Sequence, residues 1–149
     1  MKFLPPPLLA ILCGFMAWGL SSSMPTLLFD APSQSLFTAG FAVLGLIIDV
    51  LAIIAFWQAK TTLSPFHPEN ARALVTGGIY QYSRNPMYLG LLCYLIAWTY
   101  HLAHPFAAFG PVAFVMLMNT GQIKREEAAL LAHFGDDYRE YLGRVRRWI

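Results

Sequence analysis

Charge is scarce in this chain. Asp, Glu, Lys and Arg make up 12% of its 149 residues, about half of the roughly 25% usual in a soluble domain. Beside 57% hydrophobic residues, that scarcity excludes an ordinary soluble domain and points to a membrane protein. Cysteine is also scarce. Cys13 and Cys93 both fall in apolar runs, so a disulfide framework and a cysteine-rich metal site are excluded, and buried reduced thiols are expected. His101 and His104 share a short connection and read as interfacial loop rather than metal ligands, so no metal is expected. The basic residues carry no groove-reading motif, so the net charge of +2 does not imply a nucleic-acid partner. No internal repeat or low-complexity segment is present.

Long apolar runs are what the chain does have. A spanning helix needs roughly 20 mostly apolar residues, and segments 3–20, 36–57, 87–103 and 107–123 come close. The expected fold is an all-α polytopic membrane protein: four transmembrane helices and cytoplasmic amphipathic C-terminal helices in one domain, residues 1–149. The positive charges agree with four crossings. Lys2 precedes the first run, Lys60, Arg72 and Arg84 lie between the second and third, and the rest follow the fourth. Four crossings put all 10 Lys and Arg on one side, which the positive-inside rule makes cytoplasmic, both termini included. A prokaryotic inner membrane is the expected location. The first run is expected to stay as a span. Pro5, Pro6 and Pro7 suit a helix start, and no clear small-x-small cleavage site follows.

Pro65, Pro68, Gly77 and Gly78 break the connection 60–83. The fourth span is expected to run on as helix through 122–134 and stop at Gly135. Asp136 or Asp137 would then cap a last helix. Tyr138, Tyr141, Val145 and Trp148 recur there as an apolar stripe, with Arg139, Arg144, Arg146 and Arg147 mostly off it. That pattern predicts a helix lying on the inner leaflet, its Arg residues near anionic lipid.

Chemistry concentrates in residues 77–90, where Tyr80, Tyr82, Arg84, Asn85, Pro86 and Tyr88 sit at the edge of an apolar run. Polar groups are costly at that depth and mark a candidate site. Glu126 alone reads as part of a solvated helix start, in the run Lys124-Arg125-Glu126-Glu127. The short connection between the third and fourth runs, however, must bring their inner ends together, so Glu126 should approach Arg84 and Tyr88. An acid, a base, an amide and aromatic rings then converge on one cytoplasm-facing pocket, open to a polar cofactor and a lipid-side substrate. Asp49 is the charged residue inside a span. It reads as a packing group or as a proton or cation site.

At these residues the chain resembles the integral-membrane isoprenylcysteine carboxyl methyltransferase and phospholipid methyltransferase family. The matching text is Leu74-Val75-Thr76-x-Gly78-Ile79-Tyr80, then Arg84-Asn85-Pro86-Met87-Tyr88-x-Gly90. After a hairpin come Glu126-Glu127-x-x-Leu130 and Phe134-Gly135-Asp136-Asp137-Tyr138-x-x-Tyr141 with Val145. The resemblance covers residues 60–149 and implies S-adenosylmethionine as cofactor and a lipid or lipophilic acceptor at the bilayer. It implies cofactor contacts at Arg72, Ala73, Leu74, Val75, Tyr80, Arg84, Asn85, Pro86, Met87, Tyr88 and Glu126. A carboxylate and tyrosine faces suit the cofactor's ammonium and sulfonium. Amide, backbone N–H and Arg donors suit its carboxylate. The chain departs from the isoprenylcysteine branch in two places: Asn85 stands where that branch has His, and Gln122 where it has a substrate-binding Arg. Gln122 and Arg125 are therefore the acceptor-side candidates, with Arg84 as a possible substitute, and the acceptor class stays open.

The implied reaction is in-line attack on the cofactor methyl, with the protein supplying alignment and exclusion of water. Glu126 is assigned to cofactor binding first and to catalysis second. Two rivals remain: a nicotinamide-dependent membrane reductase of related architecture, and a small four-span transporter or accessory protein that uses Asp49.

Overall fold

The computed structural model describes residues 4–24, 33–59 and 74–149. Arg72 and Ala73, expected at the cofactor, lie outside the described residues, as do Lys60, Pro65 and Pro68. Every regular element among the described residues is helical. Helix α1 is Pro6–Ser23 and α2 is Gln34–Gln58. A 3-10 turn, Gly78–Gln81, precedes α3, Pro86–Leu102. A second 3-10 turn, Pro105–Ala108, leads to α4, Phe109–Leu117. A π turn, Met118–Gln122, joins α4 to α5, Ile123–Phe134, and α6 is Asp136–Arg144.

Proline and glycine set several boundaries. Pro6 opens α1 and Pro86 opens α3, where a missing N–H does no harm. Gly135, at φ 56° and ψ −123°, separates α5 from α6. Gly135 itself takes the N-cap position, and Asp136 is the first residue of α6. The expected cap by Asp136 or Asp137 is therefore corrected: Asp136 instead pairs with Arg139 one turn on.

Among the described residues, three helices are long and apolar enough to cross a membrane: Pro6–Ser23, Gln34–Gln58 and the continuous run Pro105–Phe134. Helix α3, the other expected crossing, has 17 residues. At about 1.5 Å per residue it is roughly 26 Å long, against about 30 Å of hydrocarbon.

Helix α3 is central. It packs against α2 on one side and against α1 and α4 on the other. The main core joins Ala10 and Cys13 of α1, Tyr88 and Leu95 of α3, and Phe114, Met118 and Ile123. The buried seam of the last long helix steps Gly110, Phe114, Met118, Ile123. Its final step is five residues rather than four, and the π turn absorbs the extra residue. Met118 and Ile123, each 0% exposed, therefore stay on one seam. A smaller cluster seats Tyr80 on Ala52 and Ala55 of α2. Cys13 and Cys93 are both buried free thiols.

Candidate functional site

The site is built where the start of α3 meets the start of α5. The chain enters α3 through Ser83, Arg84 and Asn85. Proline disfavours a helical conformation in the residue before it, and Asn85 takes φ −132° and ψ 55°. Its backbone N–H donates to Ser83 Oγ at 3.2 Å. Its side chain does not cap α3; Nδ2 donates instead to the Arg147 carbonyl at 3.0 Å. The Arg84 N–H donates to the Arg146 carbonyl at 3.0 Å. The corner is thus tied to the C-terminal residues.

Tyr88 lies on the first turn of α3 and is buried. Its hydroxyl donates to Glu126 Oε1 at 2.6 Å. Gln122, on the π turn one helical turn before Glu126, donates Nε2 to the same oxygen at 2.7 Å. Both of these hydrogen bonds fall on Oε1 of Glu126. The neighbouring Glu127 is treated differently: Arg147 grips it with Nε at 3.0 Å and Nη2 at 2.6 Å, and Arg84 Nη2 lies 3.3 Å away. The Arg84 and Glu127 side chains are 12% and 17% exposed. Arg84 Nε is buried with no hydrogen-bond partner among the described residues.

This asymmetry defines the electrostatics. A sequestered carboxylate normally needs a cation or a full set of donors. Glu127 has two guanidinium groups. Glu126 has two neutral donors on one oxygen, and among the described residues its charge is oriented but not balanced by a cation. Tyr80 adds a neutral hydroxyl nearby. Burial chiefly raises its pKa, and Tyr141, Glu126 and Asp49 raise it further. The Tyr141 hydroxyl donates to the Tyr80 carbonyl at 2.7 Å and fixes the 3-10 turn. Burial first, then Glu127, pushes Tyr138 up to about 12. The hydrogen bond to Glu127 raises Arg147 further, so Arg147 stays charged.

The expected residues divide into groups. Tyr80, Arg84, Asn85, Tyr88, Gln122 and Glu126 come together at this junction. Pro86 is buried and opens α3. Val75 and Met87 pack on the small cluster over Ala52 and Ala55, and Leu74 is half-buried beside Val75. Arg125 is exposed, about 100° around α5 from Glu126 by helical geometry. Asp49 lies against Gly90.

The expected C-terminal stripe is corrected. Helix α6 ends at Arg144, and Val145 is extended at φ −119° and ψ 134°, so Trp148 is not part of that helix. Tyr138 and Tyr141 are 2% and 3% exposed, packed within the protein. Arg147, read from the pattern as lipid-facing, pairs with Glu127. Asn119, Arg147 and Trp148 were missed as site neighbours: Trp148 Nε1 donates to Asn119 Oδ1 at 3.0 Å and Arg147 Nη1 at 3.4 Å. The one available signal was the Glu-Glu pair, whose second acid also needs a partner; spacing does not identify it. Among the described residues no group of three His, Cys, Asp or Glu is placed to hold a metal ion.

Comparison with known proteins identifies the family. A family model described as phospholipid methyltransferase matches residues 33–137. An uncharacterized protein of Haemophilus influenzae is 48% identical over 63 residues, 42% of this chain and 100% of the relative. Protein-S-isoprenylcysteine O-methyltransferase B of Arabidopsis thaliana is 34% identical over 103 residues, 69% of this chain and 52% of the relative. Protein-S-isoprenylcysteine O-methyltransferase A of the same plant is 30% identical over 119 residues, 77% of this chain and 60% of the relative. The chain thus spans between half and two thirds of those two methyltransferases. No solved structure matches. The family match takes in α2, α3 and the junction around Tyr88 and Glu126, and the chain belongs to the phospholipid methyltransferase family.

Proposed function

We propose that the protein is an S-adenosylmethionine-dependent methyltransferase of the membrane, with the cofactor at the α3–α5 junction and a lipophilic acceptor. One observation carries this reading: Glu126 is held by Tyr88 and Gln122 through a single oxygen, and no cation pairs with it among the described residues. The donor set fits the cofactor. Glu126 Oε2 can take the ammonium, and the buried unpartnered Arg84 Nε can donate to the carboxylate. Tyr88 and Tyr80 offer aromatic faces near the cationic centre. When bound, the cofactor supplies an electrophilic methyl group.

The protein's own part is to orient and to exclude water. Tyr88 and Gln122 fix the Glu126 carboxylate before any ligand arrives, which reduces what must be ordered on binding. Burial of Tyr80 keeps its hydroxyl neutral. Gln122 and Arg125 remain the acceptor-side candidates, and Glu126 serves binding before catalysis. For the acceptor's apolar part, a groove of about 600 Å³ runs between α1 and α3, lined by Ala10, Gly14, Phe15, Leu91 and Leu95 among others. Leu91 and Leu95 share a face of α3 with Tyr88 at i+3 and i+7, so the groove points along the helix toward the site.

The proposed topology has four crossings, with both termini and the site on the cytoplasmic side, because the Lys and Arg residues then share one side.

Calorimetry on detergent-purified protein tests the cofactor. Wild type should bind S-adenosylmethionine, Glu126→Gln should weaken binding at least about tenfold, or roughly 1.4 kcal/mol, and NADPH should give no heat. No wild-type binding at near-millimolar cofactor, or tight NADPH binding, would overturn the assignment. Transfer of labelled methyl to extracted lipids then identifies the acceptor class.

A further inference from the structure

After α6 the chain runs on as Val145 to Ile149 and crosses the junction just described. Arg147 is engaged from both its ends. Its carbonyl accepts from Asn85 Nδ2 at 3.0 Å, at the start of α3. Its guanidinium grips Glu127 of α5. Arg146, one residue earlier, accepts from the Arg84 N–H at 3.0 Å. Trp148 and Arg147 both donate to Asn119 Oδ1, and Asn119 belongs to the π turn that also carries Gln122.

These ties converge on the two donors of Glu126. Tyr88 sits one turn into α3, beyond the Asn85 corner. Gln122 sits on the π turn that Asn119 anchors. A π turn is a local departure from α-helical bonding and is common at functional sites, so its side-chain anchors help to decide where Gln122 points. Among the described residues Arg147 shares no hydrogen bond with Tyr88 or Gln122, but it joins the two walls from which they project.

We infer that the C-terminal residues Arg147 and Trp148 are positioning residues for the Glu126 site: they lock the α3 corner to the π turn and so set the geometry in which an ammonium-bearing ligand is received. This rests on the cofactor reading above. A simple staple would cost stability when cut. A positioning tie costs affinity beyond its effect on stability, because small misplacements of a binding group cost large factors.

The test measures S-adenosylmethionine affinity by calorimetry and the thermal midpoint on the same detergent-solubilised samples. Arg147→Ala should weaken binding about tenfold or more, and millimolar guanidinium should restore part of it by refilling the space beside Glu127. Trp148→Phe keeps the ring and removes only the N–H to Asn119; it should weaken binding about threefold with little change in midpoint. If wild type fails to bind, the cofactor reading fails. If wild type binds and both variants bind within twofold of it, the positioning role is overturned, whatever happens to the midpoint. If Arg147→Ala does not fold, Trp148→Phe decides: loss of affinity with an unchanged midpoint supports the inference, and unchanged affinity overturns it.

Discussion

At the scale of single residues, the contact between Asp49 and Gly90 explains how an intramembrane acid is accommodated. A Cβ on Gly90 would lie 2.2 Å from Asp49 Oδ1 and 2.7 Å from its Cγ. Gly45 is also tight: a Cβ there would lie 2.9 Å from the Gly90 carbonyl oxygen. Glycine is used here for close approach, and it lets α2 and α3 meet around a short polar side chain. Gly90→Ala should therefore force the helices apart and destabilise the protein by about 1–3 kcal/mol, read by denaturant unfolding in detergent. Adding Asp49→Ala removes the clashing group, so the double variant should recover part of the loss, a coupling of about 0.5–3 kcal/mol. Strictly additive losses would mean that Asp49 is not what the new methyl meets. Asp49 was legible in the sequence as the one acid in a span, but its packing against Gly90 was not, because that pairing depends on the register between two helices.

At the scale of elements, the apolar runs and the proline and glycine boundaries were readable. Pro6 and Pro86 open helices, Gly135 closes one, and residues 122–134 continue as helix. The junction was readable in outline because the short connection after α3 forces Glu126 toward Tyr88. Two features were not. The π turn at Met118–Gln122 leaves no residue-type signature; it is the five-residue step between Met118 and Ile123 that reveals it. The end of α6 was also hidden, because Tyr138, Tyr141, Val145 and Trp148 fit a helical stripe although the chain leaves the helix at Arg144. Hydrophobic spacing reports what is buried, not what covers it, and here extended backbone buries the last part. The two glycines flanking this region separate backbone effects from packing. Gly135 has a positive φ of 56° with no atom within 4 Å of an added Cβ, so Gly135→Ala should cost about 1–3 kcal/mol from strain alone. Gly143 lies within α6 with the same open surroundings and without a positive φ, so Gly143→Ala should gain about 0.5–1 kcal/mol. Thermal unfolding of the two variants should move in opposite directions; equal shifts would mean that the backbone conformation at Gly135 does not matter.

At the scale of the whole molecule, the number of crossings is a question of parity. Helices α1 and α2 and the run Pro105–Phe134 each have the length and hydropathy to cross, whereas α3, with 17 residues, is marginal. If α3 crosses, the count is even and both ends of the chain share a side, with the Tyr88–Glu126 junction facing the compartment that supplies a soluble cofactor. If α3 does not cross, the count is odd. The basic residues after Gln122 would then sit opposite Lys2, against the charge rule. Helix α3 also carries Tyr88 at its start and Trp98 near its end, and Trp98 Nε1 donates to the Gly14 carbonyl of α1 at 3.1 Å. It is thus tied to a helix long and apolar enough to span, and a hydrophobic mismatch of a few ångströms is absorbed by local thinning of the bilayer at modest cost. The two counts separate by labelling single cysteines with a membrane-impermeant maleimide in intact cells. Cys13 and Cys93 are buried and give a low background, while Ser22 and Glu140 are exposed. Ser22→Cys, at the far end of α1, should label directly. Glu140→Cys, on α6, should label only after permeabilisation, which places it with the N-terminus and requires four crossings. Direct labelling at both positions would place α6 outside, reduce the count to three and remove the proposed site from the cytoplasm.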